Sequence, residues 1–244
     1  MTPMSQKLRQ ANLLTAHDIA VLDGLVANVR SVGAREDIVS EGEPPRDVRL
    51  ILEGFACRYK MMPGGRRAIM AYLLPGDFCD LHVSILGYMD HTIAAVTPCV
   101  VADLPQAQLD QIIRKEPRIA RALWWATLVD EAVLREWLAN MGHRPSDRKL
   151  AHLLCELRRR LEIVGLADTR HMKLPLTQEE LGDTLGISSV HVNRVFQQLR
   201  HANLVVTHGR DIAFPDLDRL EQFCDFSPEY LHLSYDCSER AAAL

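Results

Sequence analysis

Between Ser188 and Gln197 the chain sets out side chains able to read a nucleic-acid duplex: Ser188, Ser189, Val190, His191, Asn193, Arg194 and Gln197. An arginine can donate two hydrogen bonds to guanine, Asn or Gln can pair with adenine, and a valine suits the methyl of thymine. Ser188, Ser189 and the amides at a helix start can hold a phosphate. His191 can reach a phosphate or a base edge. Further on, His208 and Arg210 flank Gly209 at a turn, where they can meet a phosphate backbone.

Such a set works only if two short helices hold it. Thr177 and Glu180 have the spacing of a capping box, and Leu176 and Leu181 that of a hydrophobic staple. Gly186 is placed to end this first helix in a left-handed turn. Ser188 caps the second helix, with Ile187 and Val192 as its staple. Gly182 lets the two helices cross closely, and Leu181, Leu185, Ile187, Val192 and Val195 form their shared core. This is a helix-turn-helix. Asn203–Thr207 and Ile212–Phe214 then read as a hairpin, making the unit a winged helix. The N-terminal part of the second helix is expected in a major groove. The expected DNA-contacting set is Thr177, Ser188, Ser189, Val190, His191, Asn193, Arg194, Gln197, His208 and Arg210.

Charge agrees with that location. The 244 residues carry 28 Lys and Arg against 32 Asp and Glu, a net charge of −4, so any nucleic-acid contact must come from a local patch. From Pro145 to Pro215 there are ten Lys and Arg against eight Asp and Glu; from Asp216 to Leu244, two against seven. The longest nearly unbroken apolar run, Ala122–Val129, is too short to span a membrane, and Met1–Leu14 has no signal-peptide pattern. A cytoplasmic protein with no membrane partner is expected.

Other chemistry finds little support. Cysteines at 57, 79, 99, 155, 224 and 237 form no C-x-x-C and read as reduced, mostly buried thiols. No G-x-S-x-G, Gly-rich phosphate loop or H-E-x-x-H is present, so no enzyme is expected. Cys79, His82 and His91 could supply soft ligands but lack a metal-site spacing, and no metal is assigned.

Upstream of residue 105 the pattern is β. Phe55, Cys57, Tyr59 and Met61 alternate with Arg58 and Lys60; Pro63-Gly64-Gly65 makes a turn; Arg66–Leu74 returns; Ile93–Thr97 and Cys99–Leu104 follow. Short strands at this spacing suggest a small barrel or β-roll. Downstream the period is helical. A short helix opens at Pro105, and Ile119–Leu138 holds 14 apolar residues in 20. A helix apolar on more than one side must be covered on more than one side. The β-domain is one cover and a second subunit the other, with Ile119, Leu123, Ala126, Val133 and Trp137 as the expected dimer interface. Ser146 is expected to cap the next helix, whose stripe is Leu150, Leu153, Leu154, Leu157 and Leu161; Gly165–His171 reads as a polar loop.

Leu74-Pro-Gly-Asp-Phe78, Thr177-Gln-Glu-Glu-Leu-Gly182 and Ile187-Ser-Ser-Val-His-Val-Asn-Arg-Val195 together resemble the Crp/Fnr family of bacterial transcription regulators, over residues 15–215. The resemblance implies an α+β chain: an N-terminal β-roll (a double-stranded β-helix, cupin-like), a long dimerisation helix and a C-terminal winged helix-turn-helix. The expected boundaries are 1–116 for the sensor, 117–142 for the helix, 143–216 for the DNA-binding domain and 217–244 for a tail that docks on the body through Phe223, Phe226 and Tyr230. It also implies double-stranded DNA and RNA polymerase as partners. Arg194 falls where members keep a contacting arginine, whereas Ser189 and Val190 stand where cyclic-AMP-responsive members carry Arg and Glu, so a different target is expected.

The sensor departs from that pattern. The positions that would hold the phosphate and ribose of cyclic AMP carry Leu81, His91 and Thr92, so cyclic AMP is not the expected ligand. Met1–Val32 lacks the cysteines of an iron–sulfur sensor. An unidentified small-molecule effector is expected near Asp80, Leu81, His82, His91 and Thr92. The alternatives are a constitutive regulator with a purely structural roll, and a haem, metal or redox sensor using Cys79, Cys57 or the histidines.

Overall fold

The computed structural model describes residues 1–44, 46–81 and 83–233. Two helices come first, α1 (Pro3–Leu8) and α2 (Ala16–Asp23), the latter started by a Thr15–Asp18 capping box. Seven strands follow: β1 (Asn28–Val32), β2 (Asp37–Val39), β3 (Asp47–Glu53), β4 (Ala56–Met61), β5 (Arg67–Leu73), β6 (Thr92–Ala95) and β7 (Cys99–Pro105). They pair antiparallel in two sheets, β1-β7-β3 and β2-β6-β4-β5. The sheets close on a core that includes Val32, Ile38, Ile51, Leu73, Ile93 and Val101. A short helix, α3 (Val83–Leu86), lies between β5 and β6. This is the expected roll.

One strand of the roll, β5, carries a bulge where it faces β4. The β4–β5 register shifts between Arg58 and Tyr59. Arg58, which alternation sets on the face opposite Cys57 and Tyr59, donates to the carbonyls of Phe78 and Cys79 at 3.1 and 3.4 Å, and Met61 is 57% exposed. The extra residue of that bulge is Met70 of β5, while β4 pairs with β6 without a shift; alternation therefore holds along β4, and Arg58 shares with Ala56 the face turned towards the interior of the roll.

Beyond α4 (Gln106–Lys115), helix α5 (Pro117–His143) runs 27 residues, about 40 Å at the helical rise. Ile119, Ala122, Leu123 and Ala126 pack with Met4, Leu8, Phe78 and Leu104 of α1 and the roll. Val129, Val133 and Trp137 pack with Tyr72 and with α6 (Ser146–Ile163). The five residues expected at a dimer interface, Ile119, Leu123, Ala126, Val133 and Trp137, are therefore buried inside the protomer. The helix leaves a different apolar face open: Trp124 at 69%, Leu128 and Leu134 at 49%, and Leu138 at 69% exposed. The sequence shows a helix apolar on several sides but does not say which side its own roll takes.

The C-terminal domain holds α6, β8 (His171–Lys173), α7 (Gln178–Leu185), α8 (Ser189–His201), β9 (Val206–His208) and β10 (Asp211–Ala213), with sheet order β8-β10-β9. The α6 stripe at 150, 153, 154, 157 and 161 is buried as expected. Its cap is Pro145, and Ser146 is already helical. The segment read as loop ends in β8, a strand of three residues and too short for alternation to reveal. Last come α9 (Leu217–Cys224) and a 3-10 turn, Pro228–Leu231. Phe226 and Tyr230 close on His152 of α6 with ring centroids 5.1 and 6.0 Å away, while Phe223 lies under the Arg148 guanidinium. The part of the tail beyond residue 233 lies outside the described residues.

Candidate nucleic-acid interface and sensor cavity

Local chemistry builds the helix pair. Thr177 Oγ1 accepts from the Glu180 amide at 3.1 Å, and Glu180 Oε2 accepts from the Thr177 amide at 2.7 Å. Gly186 ends α7 at φ +67°. A Cβ on Gly182 would stand 2.6 Å from the Ile187 carbonyl oxygen, so only glycine permits this crossing. Ser188 Oγ then accepts from the His191 amide at 3.2 Å and starts α8. Val192, Val195, Phe196 and Leu199 turn inward and are buried.

The opposite side of α8 is open. Ser189, Val190, Asn193, Arg194 and Gln197 are exposed and His191 is half-buried, with Arg194 Nη2 3.4 Å from His191 Nδ1. Thr177 and Ser188 are exposed at the two helix starts. His208 and Arg210 are exposed beside Gly209, at the tip of the β9–β10 hairpin. Arg200 ties α8 to the hairpin through Thr207 Oγ1 at 3.0 Å. From Ser188 to Arg210 there is no Asp or Glu, against three arginines and three histidines. That local run is a sharper signal than the domain-wide charge balance, and it was available in the sequence.

The helix-turn-helix also touches the roll, which sequence reading missed. Tyr72 Oη of β5 is 2.6 Å from Thr184 Oγ1 of α7, and Arg67 Nε donates to Asp183 Oδ2 at 2.9 Å. Below this contact, Arg160 of α6 donates to the Tyr72 carbonyl at 2.8 Å and to buried Asp77 at 2.7 Å. Lys7 of α1 pairs with the other oxygen of that carboxylate. Burial alone would push the Asp77 carboxyl up, but Lys7 and Arg160 outweigh it and hold it at about 2.

Between β4–β5 and α5 lies a cavity of about 330 Å³, lined by Leu81, His91, Arg58, Asp130, Lys7 and Arg160 among others. Its cations are already engaged, Lys7 and Arg160 by Asp77 and Arg58 by Asp130 at 3.2 Å. Burial lowers the pKa of His91 even though its Nδ1 lies 2.6 Å from Asp90.

Two family models match the chain, a cyclic nucleotide-binding domain over residues 29–116 and a Crp-like helix-turn-helix domain over 148–223. The nitrogen fixation regulation protein FixK of Bradyrhizobium diazoefficiens is 31% identical over 189 residues, spanning 76% of this chain and 77% of that protein. The chain belongs to the Crp/Fnr family. The transcriptional activator protein FnrL of Cereibacter sphaeroides is 27% identical over 78% of each chain. The structure of FixK2 from Bradyrhizobium japonicum superimposes with a TM-score of 0.73 at 28% identity, covering 81% of this chain and 97% of that one. The α+β roll and helix-turn-helix are thus those of Crp/Fnr transcriptional regulators.

In this Crp/Fnr chain the expected effector residues do not gather as a set. Leu81 and His91 line the cavity. Asp80 turns away into a buried pairing with Arg49, accepting from its amide at 2.7 Å and from Nη1 at 2.9 Å. Thr92 Oγ1 accepts from the Glu41 amide at 3.0 Å, since successive residues entering a strand point to opposite faces. His82 lies outside the described residues. Burial holds the thiols in their protonated form, Cys57 up to about 12 and Cys99 up to about 11, with Cys79 also raised. A buried, protonated thiol is inert, which argues against Cys57 or Cys79 as a redox trigger. Among the described residues no group of three or more His, Cys, Asp or Glu is placed to hold a metal ion, and no helix is long and apolar enough to cross a membrane.

Proposed function

We propose that the chain is a cytoplasmic, sequence-specific DNA-binding regulator that acts as a homodimer on pseudo-palindromic sites. The observation that carries this reading is the outer face of α8, exposed and free of carboxylates, beside the exposed hairpin tip. Thr177, Ser188, Ser189, Val190, His191, Asn193, Arg194 and Gln197 would meet one major groove and its phosphates, and His208 and Arg210 the flanking backbone. The open face of α5, with Trp124, Leu128, Leu134 and Leu138, would join the subunits and set two copies of α8 about 34 Å apart. The functional division would follow 1–116, 117–142, 143–216 and 217–244, and RNA polymerase would be a further partner on the promoter.

An effector in the cavity at Leu81 and His91 would act by shifting the packing of α5 on the roll and so the spacing of the two DNA-binding heads. A second reading, control without a small ligand, is favoured by the internal pairing of the cavity's cations, which leaves a buried phosphate no guanidinium of its own. Selection of bound duplexes from a random library by the purified protein tests the main reading. Two related half-sites one helical turn apart are expected; a single asymmetric site would remove the dimer, and no enrichment would remove the reading.

A further inference from the structure

Val190 opens the recognition helix with an apolar side chain that the protomer leaves 78% exposed. The apolar side of α8 is already satisfied by Val192, Val195, Phe196 and Leu199, all buried. A β-branched residue in the first turn gains nothing for the helix itself. Around it stand Ser189, Asn193 and Arg194, all exposed, so Val190 has no apolar neighbour on that face to pack against.

The face also lacks a group. With no carboxylate from Ser188 to Arg210, nothing there can accept from the cytosine amine in the way Asp or Glu does. The apolar feature that base edges offer in the major groove is the C5-methyl of thymine. We propose that Val190 is a specificity-determining residue that selects a thymine in each half-site by packing on that methyl. This assignment rests on the major-groove reading of α8 given above. Arg194 lies one turn further along the same stripe, about 6 Å on.

The test uses the duplex recovered by site selection, remade with deoxyuridine in place of each thymine in turn, which deletes only the methyl. One thymine per half-site is expected whose replacement weakens wild-type binding about fourfold, the worth of one buried methyl. The same replacement should be silent for Val190→Ala, and Val190→Thr, which keeps one methyl, should fall between. Val190 supports no packing in the protomer, so both variants should keep the wild-type circular dichroism. If every thymine can lose its methyl without effect, or if Val190→Ala stays as sensitive as wild type, the assignment is overturned while the DNA reading stands. Recovery of no duplex by the wild-type protein would overturn both.

Discussion

Tyr72 Oη and Thr184 Oγ1 lie 2.6 Å apart in a fully buried contact that joins the roll to the first helix of the helix-turn-helix. Thr184 in turn donates to the Glu180 carbonyl at 2.8 Å, so the tyrosine hydroxyl is left to donate to threonine. With Arg67–Asp183 beside it, this contact gives the roll a direct hold on the helix-turn-helix domain besides the one through α5 and α6.

Tyr72→Phe keeps the ring against Trp137, now 6.2 Å away edge-on, and removes only the hydroxyl. The loss should be about 1 kcal/mol in urea unfolding, the net worth of one hydrogen bond. Hydrogen exchange of the α7 amides should rise more than that of β4. Equal exchange in both proteins would mean that the contact does not hold the domains together.

Arg194→Ala should cost about 1–3 kcal/mol on the selected duplex and relax preference at one base pair per half-site, whereas Arg210→Ala should weaken all duplexes alike and flatten the salt dependence. Binding titrations on the selected site and on single-base variants, at two salt concentrations, separate the two roles. A uniform loss for Arg194→Ala would make it a phosphate contact.

Leu128→Glu and Leu138→Glu place charge on the open face of α5 and should give folded monomers in analytical ultracentrifugation, with loss of operator binding. Leu123→Glu, at a position 3% exposed inside the protomer, should instead unfold the chain. Dimers that survive both surface substitutions would move the interface elsewhere.

His152 of α6 is buried, and burial together with the Arg144 cation lowers its pKa from the ordinary 6.5 to about 4, against the pull of Glu136. The unfolded chain therefore binds this proton first as pH falls. Its contribution to stability is complete above 6.5 and is lost progressively from there down towards 4, with a slope of at most about 1.4 kcal/mol per pH unit. His152→Leu removes that slope. Measured at several pH values, the unfolding free energy of the wild type minus that of the variant should fall as pH drops from 6.5 towards 4; parallel curves would refute the assignment.

Tyr230 reaches back from the tail to donate to Glu156 Oε2 at 2.9 Å, where Trp137 Nε1 of α5 donates to the same oxygen at 2.9 Å. The carboxylate is buried, and Arg160 supports its other oxygen at 3.1 Å. Tyr230→Phe should cost about 1.5 kcal/mol, as for a hydrogen bond to a charged group, and removal of residues 225–244 should cost more. Unchanged denaturation midpoints for both would make the tail an ornament of the surface.

The helix-turn-helix was legible from sequence because local chemistry specifies it: Thr177 with Glu180, Gly182, Gly186 and Ser188 act within a few residues of one another. The turns and strands of the roll were legible for the same reason, through Pro63-Gly64-Gly65 and period-two runs. What the sequence left undecided were choices among faces. Which stripe of α5 the roll would take, whether Arg58 would turn outward or towards Phe78, and whether Asp80 would face a cavity or Arg49 all depended on elements distant in the chain. Residues 72 and 184 meet across 112 positions. Period and capping carry no information over that distance, and only the packing of the roll against α5, α6 and α7 supplied it.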